Sequence, residues 1–518
     1  MNSLNFPIGR VYLVGAGPGD PGLITVRGAQ KLAEADVVLH DGLANPAFRV
    51  LARVDAAWIS VGKHGGDRIW KQSEIDDAIV EHARSGKTVV RLKGGDTGVF
   101  ARTAEELERL VSEGIPFEVV PGITAGLAVA AYTGIPITHR DWSSAVAIVT
   151  GQLQPSDGGP EIDESNDWEA LANFPGTLVV YMGVTTAGIW SNRLLAAGKP
   201  PETPVAIVRR CSWPDQEVIY CQLDQVGNEL TPASKFRPPV IAVIGPVAHL
   251  GTPFDWFSKR PLFGTTVLVS RPAEQALDTV QQLNDLGADV LMQSSIEIRP
   301  VVDFEPLDAR INSLSTYDWI VFTSTNGVDY FFSRMQALGL DGRALHACRI
   351  AGVGPSIVTA LKRWNMGCDL IPDGGQELYN AVHLSERLIR KLSEKAGNQC
   401  CLVVRANRGK TTVEDAIKAV GYAVDSVIAY LSVDVEQAEP HVRRAAQARR
   451  IDYVFVTSRL IASNLARLFV EDLRNAKWIA ISEDVAEVIK NLGFRVHSTA
   501  KQSSVASMIE CLLEIEHR

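Results

Sequence analysis

Residues 11–25 read VYLVGAGPGDPGLIT. A short apolar run enters glycines at 15, 17, 19 and 22, and a helix-compatible stretch follows. Glycines after a strand let the backbone approach a ligand closely, and the next helix offers unpaired N–H groups. Asp20 stands where a G-x-G-x-x-G fingerprint needs its last glycine, and no Gly-Lys-Ser/Thr follows. Neither the dinucleotide fingerprint nor the P-loop is met. Taken alone, the segment is a tight βα turn opening an α/β chain.

The pattern extends outward. Apolar runs at 36–40, 88–92, 117–120, 145–150 and 177–182 predict buried parallel strands, with amphipathic stretches such as SEIDDAIVEHARSG at 73–86 between them. A polar insert at 154–167 has no periodicity and predicts a surface loop. After the strand-like PVIAVIG at 239–245, residues 249–264 also lack periodicity, and a new strand, TTVLVS, begins at 265. In the second half, 451–469 echoes 317–335 and 477–497 echoes 349–371, which predicts two similar α/β lobes. The 518 residues therefore divide into a domain at 1–250, a linker at 251–263 and a bilobal domain at 264–518. Residues 264–299 with 434–518 form one expected lobe and 303–428 the other.

Composition is that of a globular protein, with 46% hydrophobic and 21% charged residues. Net charge is −9; residues 1–250 hold 21 basic against 28 acidic side chains. No nucleic-acid partner is expected, since phosphate contacts need a basic surface. No run is apolar enough to span a membrane. The opening MNSLNFPIGR lacks a basic start followed by an apolar run, so a cytoplasmic location is expected. The seven cysteines show no metal-ligand spacing and read as reduced core thiols. The Gly-Lys-Thr at 409–411 is not a Walker A motif, because Val404 occupies the required glycine position.

Further glycine turns follow in order: RLKGGDTGVF at 91–100, VVPGITAG at 119–126 and VVYMGV at 179–184. In an α/β sheet several strand ends converge on one crevice, where ligands bind. These stretches, together with ADVVLHDGL, VGKHGG and GIPITHRD, resemble the tetrapyrrole methyltransferase family, within it the uroporphyrinogen-III C-methyltransferases, over residues 9–250. The resemblance implies a two-lobed methyltransferase fold and S-adenosyl-L-methionine near Pro18, Gly94, Gly95, Asp96, Val99, Thr124, Ala125, Met182 and Cys211. It implies Asp41 as proton acceptor and Lys63 as proton donor. Without it, Asp41 is a turn cap and Lys63 a solvated lysine. The chemistry suits the residues: a pyrrole carbon attacks the sulfonium methyl in line, and a carboxylate takes the proton that must leave. Arg91, Arg102 and Arg140 lie in or beside the motif turns and are candidates for an anionic tetrapyrrole substrate. Thr97 and Gly98 replace a usual Pro-Phe, and Cys211 replaces a glycine.

Residues 262–518 resemble uroporphyrinogen-III synthase through VLVSRP, YDWIVFTSTNGVDYFF, IAGVGPSIVTAL, VVRANRG, VIAYLSV and IDYVFVTS. The resemblance implies cofactor-free closure of hydroxymethylbilane, with Tyr430 assisting loss of the hydroxyl and Ser324, Asn326 and Ser458 binding substrate. Alone, Tyr430 reads as a buried strand tyrosine. Ser482 and Glu483 replace a usual Gly-Pro, so an active methyltransferase carrying a degenerate synthase half is the alternative. The two activities together would make uroporphyrinogen III and methylate it to precorrin-2, feeding sirohaem or cobalamin synthesis. The expected partners are tetrapyrroles and, by the resemblance, a second copy of the chain bound through the methyltransferase half.

Overall fold

The computed structural model describes residues 8–53, 55–62, 70–151, 166–231, 236–270, 273–374, 378–394 and 399–517. Two compact units form, one from residues 1–293 with 438–518 and the other from 294–437. Among the described residues the strands are β1 (Val11–Gly15), β2 (Val37–His40), β3 (Ala57–Ser60), β4 (Val89–Lys93), β5 (Phe117–Val120), β6 (Val146–Thr150), β7 (Thr177–Tyr181), β8 (Pro204–Arg209), β9 (Glu217–Gln222) and β10 (Val240–Ile244) in the first half. The second half adds β11 (Thr266–Val269), β12 (Asp289–Met292), β13 (Ile296–Pro300), β14 (Trp319–Phe322), β15 (Arg349–Gly352), β16 (Cys400–Ala406), β17 (Ala423–Asp434), β18 (Tyr453–Val456), β19 (Lys477–Ala480) and β20 (Val496–Thr499).

The first sheet has the order β3-β2-β4-β1-β5 and is parallel throughout. Every residue of β1 and β4 is buried, as continuous apolar runs in a parallel sheet should be. Register sets Gly15 beside Lys93 and His40 beside Leu92, so the turns after β1, β2, β4 and β5 leave one edge of the sheet together. The second sheet, β6-β7-β10-β8-β9, is parallel only between β6 and β7. The short connection at 210–216 joins the antiparallel strands β8 and β9 without the crossover helix that a parallel pair requires.

The third sheet, β12-β11-β18-β19-β20, is parallel and belongs to the first unit. The fourth, β13-β17-β16-β14-β15, makes the second unit, with β13 antiparallel to β17. Because β13 pairs along Ile296 to Pro300 with Asp434 to Tyr430, both strands lie wholly in the second unit. The chain therefore crosses at 293/294 and 437/438, whereas the sequence places the crossings between 299 and 303 and between 428 and 434. The sequence echo is real at the level of local geometry. Ser324 and Ser458 each end a strand, adopt extended backbone at φ −152° and −157°, and cap the next helix by accepting an N–H three residues on.

The expected linker at 251–263 is a packed part of the first unit. Phe257 and Leu262 are buried, Trp256 Nε1 donates to Ala131 O at 2.7 Å, and Leu262 N–H donates to Leu286 O at 2.9 Å. Periodicity misses it because Phe257 is buried by a turn and not by a helix face. The same packing distinguishes it from a tether by experiment. Phe257→Ala should destabilise the first unit by about 3–5 kcal/mol, the cost of emptying a buried phenylalanine site. Chemical unfolding followed by tryptophan fluorescence measures it, and a tether would lose nothing.

Candidate active site

Three glycine turns interlock at the edge of the first sheet. A Cβ on Gly15 would lie 2.5 Å from Gly122 N, and one on Gly122 would lie 2.3 Å from Gly95 O. Gly95 has φ +72° and exchanges backbone hydrogen bonds with Gly17 at 2.8 and 3.1 Å. Side chains are excluded here by both space and conformation, so the turns touch backbone to backbone. Asp96 ties two of them, accepting from Gly98 N–H at 2.7 Å and Gly122 N–H at 2.9 Å. Pro18 lies on the first turn, where its carbonyl accepts from Trp213 Nε1 at 3.2 Å. Gly94, Gly95, Asp96 and Val99 lie on the second.

Asp41 follows β2 and remains partly exposed. Its Oδ1 accepts from Arg91 Nη2 at 2.6 Å and its Oδ2 from Gly94 N–H at 3.3 Å. Behind it, Arg91 Nε donates to Glu106 Oε1 at 3.1 Å, and Lys93 Nζ donates to the other oxygen of Glu106. The side chains of Arg91, Lys93 and Glu106 are 4%, 2% and 1% exposed, so two cations and two carboxylates form an electroneutral buried chain. Burial lowers the pKa of Lys93 despite Glu106. For Arg91 burial acts the same way, but Asp41 and Glu106 together more than offset it and hold the guanidinium above its ordinary value. Arg91 was expected to bind substrate. The structure corrects that role: the guanidinium is sealed from solvent and engaged with Asp41 and Glu106, which orients Asp41. Arg102 is exposed and pairs with Glu105 at 2.6 Å, and Arg140 is also exposed. Lys63 lies outside the described residues.

Thr124 caps the helix Ala125–Thr133, and its hydroxyl shares a 2.6 Å hydrogen bond with the Tyr181 hydroxyl, which also accepts Gly126 N–H. Met182 follows with φ 53° and an exposed side chain. Cys211 is buried in the core that also holds Val129, Ala206 and Val208. Burial pushes its thiol up to about 12, and the extra side chain is absorbed by this core. Among the described residues, Phe100, Arg102, Met182, Arg210 and Ser212 share φ between 50° and 66° and lie on the turns that carry these groups. Such strained backbone concentrates where a ligand constrains the chain. Tyr181, Glu106 and the strained turns were not singled out from sequence. Only the position of Tyr181 beside Met182 offered a signal.

In the second unit, Tyr430 is 6% exposed, shares a 2.9 Å hydrogen bond with Ser324 Oγ, and stacks on Tyr330 at 5.6 Å. Burial raises its pKa, with the Ser324 bond opposing. Asn326 lies in the first turn of the helix that Ser324 caps. Ser458 belongs to the first unit. Among the described residues no cluster of His, Cys, Asp or Glu could hold a metal, and no helix is long and apolar enough to cross a membrane.

Residues 10–227 match the family Tetrapyrrole (Corrin/Porphyrin) Methylases, and residues 278–510 match Uroporphyrinogen-III synthase HemD. The porphyrin biosynthesis protein HemD of Ruminiclostridium josui is 34% identical over 98% of both chains. The uroporphyrinogen-III C-methyltransferase of Bacillus subtilis is 37% identical over 71% of this chain and 75% of its own. A protein of Methanosarcina barkeri named S-adenosyl-L-methionine-dependent uroporphyrinogen III methyltransferase is 45% identical over 47% of this chain and 93% of its own.

The buried charge chain makes a direct prediction. Glu106→Gln leaves Arg91 and Lys93 buried with one carboxylate fewer and should destabilise the first unit by about 3–5 kcal/mol. Glu105→Gln breaks only the exposed pair with Arg102 and should cost less than about 1 kcal/mol. Thermal unfolding of both variants measures the contrast; equal losses would remove the buried chain from the account of Asp41.

Proposed function

The chain belongs to the family of its full-length relative, a tetrapyrrole methylase joined to a uroporphyrinogen-III synthase, and from that premise we propose how its residues divide the work. Residues 1–250 transfer methyl groups from S-adenosyl-L-methionine to uroporphyrinogen III, giving precorrin-2. Residues 264–518 close hydroxymethylbilane to uroporphyrinogen III. The observation that carries the first assignment is the meeting of the Gly15, Gly95 and Gly122 turns beside a partly exposed Asp41.

S-adenosyl-L-methionine supplies an electrophilic methyl group. The backbone of the turns at 15–20, 94–99 and 122–125, with Met182 and the turn at Cys211, holds it and aligns the methyl with the pyrrole carbon; alignment supplies much of the rate. After transfer, the cationic adduct must lose a proton from elsewhere in the macrocycle, and Asp41 accepts it. The support is geometric: Arg91 and Gly94 N–H hold the carboxylate still, and its partial exposure leaves it reachable. Lys63 returns a proton to the macrocycle. Arg102 and Arg140, both exposed, meet substrate carboxylates.

In the other activity Tyr430 donates its hydroxyl proton to the departing hydroxyl of hydroxymethylbilane. Ser324, bonded to Tyr430, keeps the phenol directed, and burial keeps it protonated. Asn326 and Ser458 bind carboxylates through hydrogen bonds. One observation favours the second reading, in which this half is not catalytic. The helix Glu483–Asn491 starts Ser482-Glu483-Asp484, whereas its counterpart Pro355–Arg363 starts Gly354-Pro355-Ser356. Two carboxylates at a helix N-terminus oppose an anionic substrate.

The homodimer is part of the proposal. Edge strand β5 exposes Phe117 and Val119, with Ile123 and Leu127 also exposed just beyond it, and an apolar edge of this kind calls for a partner. The acidic balance supports the absence of a nucleic-acid partner.

Incubating the full chain with hydroxymethylbilane and S-adenosyl-L-methionine should give dimethylated type III product. Only type I ring products would establish the second reading. Asp41→Asn should keep S-adenosylhomocysteine binding close to wild type and slow methylation at least about 100-fold, the usual scale of a lost general base. Unchanged turnover returns Asp41 to a turn cap. Tyr430→Phe should slow type III ring formation while leaving the unfolding temperature within a few degrees of wild type, since only a hydroxyl is removed.

A further inference from the structure

The loop from Gly17 to Gly22 is held almost entirely by groups outside it. Asp20 caps its turn, accepting Gly22 N–H at 2.8 Å on Oδ1 and the Tyr132 hydroxyl at 2.8 Å on Oδ2. Its own N–H donates to Ser212 Oγ at 3.0 Å. Gly19 O accepts from Asn45 Nδ2 at 2.8 Å, and Asn45 follows the Asp41 turn. The strongest of these fastenings is the carboxylate bond from Tyr132, because one partner is ionised and the tyrosine is largely buried.

Tyr132 is in turn fixed from the segment 251–263. Its ring meets Phe257 edge-on at 4.7 Å and Trp256 at 5.7 Å. The Arg260 guanidinium lies over the Phe257 ring at 3.9 Å, and its Nη1 donates to Asn284 O at 2.9 Å. Asn284 closes the helix Ala273–Asp285, which packs on the third sheet. A continuous chain of contacts thus runs from the third sheet through Arg260, Phe257 and Tyr132 to Asp20. A second contact lands beside it: Arg49, on the turn that Asn45 caps, pairs with Glu439 at 3.0 Å. The body formed by residues 264–293 and 438–518 is thereby fastened to both loops of the methyl-transfer site.

We propose that Arg260 is a positioning residue for methyl transfer, acting through Phe257 and Tyr132 to hold the Asp20 loop in its binding conformation. This rests on the reading of that loop as the S-adenosyl-L-methionine site. The physical gain is preorganisation. A loop already ordered by the docked body has less conformational freedom to lose when ligand arrives, so affinity rises without any new contact to the ligand. The synthase-like sheet then serves the methyltransferase whether or not its own site turns over. Arg260 touches no reacting atom, so its loss should act on binding and not on the chemical step.

The test uses the full chain and S-adenosylhomocysteine as probe, with binding by calorimetry and amide exchange read over residues 17–22. Arg260→Ala and Tyr132→Phe should each weaken binding about tenfold and speed exchange of those amides, with methylation kcat at saturating S-adenosyl-L-methionine near wild type. The double variant should be little worse than either single change, because both break one chain of contacts. Arg260→Lys should recover binding in part. Conversion of hydroxymethylbilane should be unchanged in all of them. Wild-type affinity in a folded Arg260→Ala, or a loss in kcat with unchanged affinity, overturns the proposal. If Arg260→Ala does not fold, Tyr132→Phe decides alone, since it removes one hydroxyl. Failure of the wild-type chain to bind the probe overturns the cofactor reading of the loop, and the proposal with it.

Discussion

The backbone contact among Gly15, Gly95 and Gly122 is the constraint on which the first half depends. These residues end or follow three neighbouring strands, and their separation leaves no room for a Cβ. Strand register brings the turns to one edge, and the missing side chains let them close on each other. The result is a surface of N–H and C=O groups whose positions are set by the sheet and not by rotamers. A ligand bound there meets a rigid floor. Asp41, Asp96 and Met182 lie on the turns after β2, β4 and β7.

Around that floor the protein places charge where water is scarce. Arg91 and Lys93 belong to the strand β4, whose residues are all buried, and alternate along it with Leu92. Both side chains meet Glu106 from the next helix, and Arg91 reaches on to Asp41. Desolvating Arg91, Lys93 and Glu106 is costly, and removing any one of them leaves its neighbour unpaired. Such a chain adds little stability over apolar packing, but it admits few alternative geometries for Asp41. The buried cations thus serve orientation, while Arg102 and Arg140 are exposed.

Where the sequence was legible, a single local rule was enough. Apolar runs such as VYLVG and VVRLK gave the strands, and glycine after strand gave the turns that meet. The repeated Thr-Ser after β14 and β18 gave matched helix caps. What was not legible depends on distant partners. Arg91 looked like a substrate ligand because its pairing with Glu106 spans fifteen residues and two elements. Residues 251–263 looked like a tether because Phe257 finds its burial against Tyr132 and Trp256 donates to Ala131 O, both more than a hundred residues away. The ends of the second unit were misplaced by a few residues because the alternation Ile296-Glu297-Ile298-Arg299 marks β13 as a strand but does not show that its partner is β17.

The two lobes of the second half share a fold but not an electrostatic character. Helix N-termini carry partial positive charge and open N–H groups, so they draw anions. At Gly354-Pro355-Ser356 those groups face no internal acid, since that helix has none in its first turn. At Ser482-Glu483-Asp484 the helix supplies two carboxylates of its own, which satisfy the dipole from within and repel a further anion. The two lobes therefore cannot grip a polycarboxylate equally. Whatever hold this half has on one falls mainly to the second unit, where the open helix start accompanies Ser324 and Tyr430. The body with the acidic helix start is also the one linked through Arg260, Phe257 and Tyr132 to the loop at Gly17–Gly22. An acidic start weakens that body as a substrate lobe but leaves its docking contacts untouched, because Asn284 and Glu439 lie on other elements.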